Sequence, residues 1–135
     1  MPYGSGLMDV VQSSITGTPP QFNDGGGTQV GTLCRAWVNF GYVSSAITIR
    51  ASFNVSSVTR SGVGLYSVNI TNAFADTNYA TEVTASRFSA STSYASSGFA
   101  KPTSTSAIFV YTGFEDTFSG PIPVDSEFCF VAVFR

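Results

Sequence analysis

The chain has 135 residues, only 10% of them charged; six basic and eight acidic residues leave a net charge of −2, and there is no histidine. Six scattered cations make no basic stripe for nucleic acid, and histidine-based acid–base, triad and zinc chemistry has no side chain to run on. No apolar run reaches the roughly 18 residues of a membrane span, the longest being 128–134, so no membrane insertion is expected.

What remains is a polar, nearly uncharged chain, rich in Ser and Thr, with 14% aromatics. Val, Ile, Thr, Phe and Tyr fit a pleated half-buried surface, which points to an all-β fold. Charge is also depleted at the centre of subunit interfaces, so this composition suits a chain that covers itself with copies. No basic n-region followed by an apolar stretch follows Met1, so no signal peptide is visible. The two cysteines, Cys34 and Cys129, read as buried thiols or as a pair.

In chain order, residues 1–27 read as an N-terminal arm for attachment or assembly, with Pro- and Gly-rich irregular chain at 18–27 and one short strand within 8–15. Residues 28–135 read as the β-domain. A first strand is predicted over 29–40, with Cys34, Ala36, Val38 and Phe40 on one face and Leu33, Arg35, Trp37 and Asn39 on the other. Gly31 marks a candidate bulge. Residues 46–54 alternate, with Ile47, Ile49, Ala51 and Phe53 on one face. Extended chain continues through 55–59 to a hairpin loop at 60–64. Leu65–Asn72 returns with Tyr66, Val68 and Ile70 on one face. A turn at 75–78 leads to a weaker strand over 79–88, facing Tyr79, Thr81, Val83 and Ala85 one way. Residues 89–104 read as a long loop, 106–113 as a strand, 117–123 as a loop and 127–135 as the closing strand. All six prolines fall outside these strands.

The closing strand is apolar on both faces: Phe128, Phe130, Ala132 and Phe134 on one, Cys129, Val131 and Val133 on the other. Such a strand is buried on both sides, either under a covering loop or against another subunit. Trp37, Phe128, Phe130 and Phe134 are therefore the candidate subunit interface. The whole is expected to be an antiparallel β-sandwich, a jelly-roll-like knob of about six to eight strands. If its strands alternate direction, Arg135 and the arm lie at one end. The loops carrying Tyr42, Phe74, Asp76, Phe114, Glu115 and Asp116 then lie at the other, as candidate distal contacts. Tyr94 and Phe99 are further loop aromatics.

The chemical motifs are thin. Glu115 and Asp116 are the only adjacent acidic pair, and neighbours in a strand point apart. Asn23-Asp24-Gly25 lacks the further acids of a calcium loop. No Gly-x-Ser-x-Gly elbow is present. Asn54-Val-Ser56 and Asn69-Ile-Thr71 match the glycosylation sequon but fall in predicted strands. No enzymatic activity, metal or cofactor is expected.

Four stretches carry a resemblance: Arg35-Ala-Trp-Val-Asn-Phe40, Ile49-Arg-Ala-Ser-Phe-Asn-Val-Ser-Ser-Val-Thr59, Gly64-Leu-Tyr-Ser-Val-Asn-Ile-Thr71 and Asp76-Thr-Asn-Tyr-Ala80. Together they resemble a module of bacteriophage virion proteins of the tail-fibre type, most closely over 28–80. The departures, Gly41-Tyr-Val-Ser-Ser45 and Arg60-Ser-Gly62, fall in predicted loops. The resemblance implies a trimeric, non-enzymatic virion component, and it transfers no receptor-binding residue. Read as complete at 135 residues, the chain lacks a shaft, so it would attach to other virion proteins through its arm or a face. The expected function is a homotrimeric knob for host attachment, with a surface glycan as a plausible ligand. A capsid decoration protein is the alternative, and a small glycan hydrolase a third.

Overall fold

A computed structural model describes residues 9–11, 21–23, 28–30, 34–87, 96–116 and 119–135. The chain divides into two compact units, Met1–Leu33 and Cys34–Arg135. In the first, β1 (Asp9–Val11), β2 (Gln21–Asn23) and β3 (Thr28–Val30) form an antiparallel sheet in the order β1-β2-β3. Two differences from the sequence reading lie here. The stretch 18–27 contains a strand, and the single strand expected over 29–40 is two. Its first part bonds to β2, while its second, β4 (Cys34–Val43), bonds to strands of the other unit. Alternation reports a face, not a pairing partner, so it carried across this boundary. Gly31 lies outside the described residues.

The second unit is all-β, built from two antiparallel sheets. Sheet I holds β6 (Val55–Gly62), β7 (Leu65–Ile70), β9 (Ser96–Ser104), β10 (Ala107–Asp116) and β11 (Gly120–Pro123). β9 flanks one edge of β10; β7 and then β11 share the other, and β6 lies beyond β7. Sheet II runs β5 (Ala46–Phe53), β4, β12 (Ser126–Phe134) and β8 (Ala80–Arg87).

The core lies between the sheets, as in a β-sandwich, and comes from period-2 alternation. Ala36, Val38 and Phe40 on β4 and Cys129, Val131 and Val133 on β12 are buried, as are Tyr66, Val68 and Ile70 on β7 and Ile108 and Val110 on β10. The ring of Phe40 meets Tyr66 edge-on across the layers, with centroids 5.2 Å apart. Val83 and Ala85 of β8 pack against this core, and Thr81 Oγ1 donates to the carbonyl of Ala100 on β9, joining the two sheets along one side.

Along the opposite side the chain itself changes sheets. β5 ends at Phe53, β6 begins at Val55, and the single residue between them, Asn54, adopts φ 55°. Asparagine tolerates this left-handed conformation better than most residues. Its side chain secures the corner. Asn54 Nδ2 donates to the carbonyls of Arg35 and Asn72, and Oδ1 accepts from the Asn72 N–H.

That corner overturns one expectation. It is a full reversal, so β6 is a strand of its own, and the 73–78 loop falls at the opposite end from Tyr42. Arg135 of the closing strand bonds to Asp76 and to the Asn78 carbonyl. Two loops are also strands. Residues 96–104 form β9, whose Ser-, Thr- and Ala-rich sequence hid its single large apolar residue, Phe99. Residues 120–123 form β11, the return arm of a hairpin with β10. Pro102, Pro121 and Pro123 are therefore strand residues, contrary to expectation. Each sits in a strand bonded only to β10, where a missing N–H costs no ladder bond on the far side. Tyr94 lies outside the described residues.

Candidate functional site

The outer face of sheet II gathers the apolar surface that the core does not use. Register places its side chains in rows. Phe53 of β5 stands opposite Trp37 of β4, which stands opposite Ala132 of β12 and then Glu82 of β8. The next row is Ala51, Asn39, Phe130 and Thr84. Trp37 is 39% exposed, Phe53 54%, Phe128 37% and Phe130 45%. Among the described residues, the other exposed large hydrophobics are Ile49, also on β5, and Val63 and Phe99 elsewhere. The candidate interface residues Trp37, Phe128 and Phe130 thus stand together. Phe134 is half-buried at the end of β12, opposite Cys34 and Ala80.

Phe53 joins this face because of a bulge. Asn39 opposes Ala51 but Phe40 opposes Ile49, leaving Arg50 as an extra residue on β5. Ile47 keeps its contact with the core. Beyond Arg50 the face reverses, so Ala51 and Phe53, expected alongside Ile47, share the outer side with Asn39 and Trp37. Arg50 reaches over Gly41, and its guanidinium lies on the ring of Phe128, 4.1 Å from the centroid. Phe128 and Phe130 are nearly parallel, 9° apart, with centroids separated by 6.4 Å. A shallow hollow of about 400 Å³ opens between these side chains, lined by Trp37, Asn39, Ala51, Phe130, Thr84 and Glu82. Asn39 is one of its lining residues; its Oδ1 is buried and, among the described residues, has no hydrogen-bond partner.

The candidate distal contacts do not form one surface. Tyr42 lies at the end of the sandwich reached by the β6–β7 hairpin, under the guanidinium of Arg60, 4.4 Å from its centroid. Phe114 and Glu115 are in β10 rather than a loop. Phe114 is half-buried opposite Ile122, and Glu115 is exposed opposite Pro121. Asp116 pairs with Gly120 through its backbone, and its side chain lies outside the description. Phe74 is only 6% exposed and packs on Tyr79, 4.7 Å between centroids. It is a core residue, because its loop folds inward to close the end of the sandwich. Asp76 is held by Arg135. Phe99, expected in a loop, stands on β9 and stacks on Tyr111, 5.0 Å between centroids.

The most organised polar cluster is one that sequence reading missed. Arg60 Nε and Nη2 donate to the two oxygens of Asp125 at 2.9 and 2.8 Å, and Asp125 Oδ1 also accepts from the Gly64 N–H and Tyr66 Oη. Burial alone would raise the Asp125 carboxyl. The hydrogen bonds from Arg60, Gly64 and Tyr66, and the charge of Arg60, outweigh it and hold it down at about 2. Burial and the bond to Asp125 push the Tyr66 hydroxyl well above its ordinary value. Every partner of this carboxylate belongs to the fold itself, so the cluster is a clasp between the β6–β7 hairpin and the β11–β12 connection.

Cys34 and Cys129 are free thiols on different rungs, opposite Phe134 and Phe40 respectively. Burial pushes the Cys129 thiol up to about 12. Among the described residues no three His, Cys, Asp or Glu converge to hold a metal. Compared with known proteins, the chain matches no family model, no curated protein and no solved structure.

Proposed function

We propose that this chain is a non-enzymatic virion structural protein of the tail-fibre or spike type, a β-knob that trimerises through the outer face of sheet II. The observation carrying the assembly part is the clustering of Trp37, Phe53, Phe128 and Phe130 on one sheet face with few charges among them. A contiguous aromatic patch on an otherwise polar surface is costly in water and marks an interaction site. Trp and Arg are the residues that anchor interfaces. The virion part rests on the resemblance of segments 35–40, 49–59, 64–71 and 76–80 to phage tail-fibre modules. In this reading the first unit binds other virion proteins. The end carrying Tyr42, Phe114 and Glu115 meets the host surface, with a glycan as ligand and threefold avidity strengthening each weak contact.

Two measurements test this. The mass in solution of the full chain should be three times that of one copy at micromolar concentration, falling to one in the Trp37→Ser/Phe130→Ser variant. A monomeric wild-type chain overturns the assembly part. Labelled antibody on purified virions should mark the tail. Label on the head lattice favours the decoration role, and unlabelled particles overturn the virion part.

A further inference from the structure

The register of sheet I slips at three places, and each slip puts an extra residue on an edge strand. Ser56 is extra between the pairs Val55–Ile70 and Ser57–Asn69, and Ser61 between Arg60–Tyr66 and Gly62–Leu65, both on β6. Thr103 is extra between Pro102–Ile108 and Ser104–Ala107, on β9. All three carry a hydroxyl, and each hydroxyl donates to a carbonyl of the facing strand. Ser56 Oγ bonds to Asn69, Ser61 Oγ to Leu65 and Thr103 Oγ1 to Ala107. Each bulge is thereby pinned, and a bulge breaks the row of backbone groups that an edge offers. Prolines break it again at Pro102 on β9 and at Pro121 and Pro123 on β11. A proline fits a strand bonded on one side with its nitrogen turned to the open edge, where it has no proton to donate. In sheet II the β5 edge is interrupted by the bulge and charge of Arg50. The β8 edge lies against β9. Thr81 Oγ1 bonds to the Ala100 carbonyl, and a Cβ on Gly98 would come within 2.9 Å of Val83.

We infer that these interruptions close the edges of the sandwich to strand addition, so that it meets partners through its faces and ends and never by extending its sheets. The guard matters most on β9. This strand is nine residues long and carries Phe99, 52% exposed, and a long apolar edge without interruption is an aggregation site. Ser56, Ser61 and Thr103 are positioning residues here, because their hydroxyls fix where each edge breaks. The inference stands apart from the virion reading: a wild-type chain that stays monomeric overturns the assembly part above and leaves the edge guard intact.

Restoring the edges tests this. One variant of the full chain combines Pro102→Thr with deletion of Thr103, which straightens β9. A second carries Pro121→Thr and Pro123→Thr, which returns two donors to β11. Mass is followed by sedimentation over a range of concentrations, with circular dichroism to show that each variant is folded. The variants are expected to grow beyond the wild-type mass, starting at a concentration about tenfold lower than the wild type. Growth should persist when Trp37→Ser/Phe130→Ser is added, because it does not use the aromatic face. Folded variants whose mass follows the wild type at every concentration overturn the inference, as does growth that the added pair abolishes. Hydrogen exchange of the wild type gives an independent reading. Amides of β6, β9 and β11 that become protected as the wild-type concentration rises would show that the edges do pair, and would also overturn it. Should the straightened β9 fail to fold, Pro102→Ala takes its place, restoring the N–H with the smallest side chain and leaving the bulge alone.

Discussion

Arg60 and Asp125, far apart in the chain, meet in a two-pronged ion pair whose carboxylate also accepts from Tyr66 and the Gly64 N–H. Removing Asp125 leaves a phenol and a backbone N–H without their acceptor. Asp125→Ala is expected to cost about 2–3 kcal/mol in urea unfolding.

The same clasp predicts an acid limb. The Asp125 carboxyl is held at about 2 in the folded chain against 3.8 ordinarily, so its contribution is complete above about pH 4. That contribution is lost as pH falls from there through about 2. Unfolding midpoints measured across this window should fall more steeply for the wild type than for Asp125→Asn, which has no charge to lose.

At the corner between the sheets, Asn54→Ala forfeits three side-chain hydrogen bonds and places a Cβ-bearing residue at φ 55° without compensation. A loss of about 2 kcal/mol is expected, with Asn54→Gly milder because glycine accepts the backbone angle. Thermal melts of the two variants and the wild type give the order.

Two aromatic residues three positions apart on β4 should behave oppositely. Phe40 is fully buried against Tyr66, so Phe40→Ala should cost about 3–5 kcal/mol. Trp37 stands on the outer face, and Trp37→Ser should leave the subunit fold nearly unchanged by circular dichroism while weakening association.

The thiols should separate by reactivity. Cys129 is fully buried with its thiol pushed up, whereas Cys34 is half-buried. A thiol reagent added to the folded chain is expected to modify Cys34 first, and Cys129 only on unfolding. Mass spectrometry of the labelled peptides reads this directly.

The inward faces of β4, β7 and β12 were legible in the sequence because clean alternation needs no knowledge of a partner. The aromatic interface candidates on β4 and β12 were legible for the same reason. Phe53 was not, since the bulge at Arg50 belongs to the pairing of β4 with β5 and leaves no local sign. β9 and β11 were hidden because edge strands tolerate serine and proline, which carry no apolar period. Phe74 read as a loop aromatic because its contact with Tyr79 depends on how the loop folds. Nothing near Arg60 or Asp125 pointed from one to the other.

β12 lies between β4 and β8, yet it follows every other strand in the chain. During synthesis β4 and β8 must therefore wait with bare edges, and the core side of sheet II cannot close until the last strand leaves the ribosome. Folding dominated by such distant pairing is slow. Until β12 arrives, the nascent chain exposes the core-facing residues of β4 and β8 together with Trp37 and Phe53, so chaperone protection matters most in that interval.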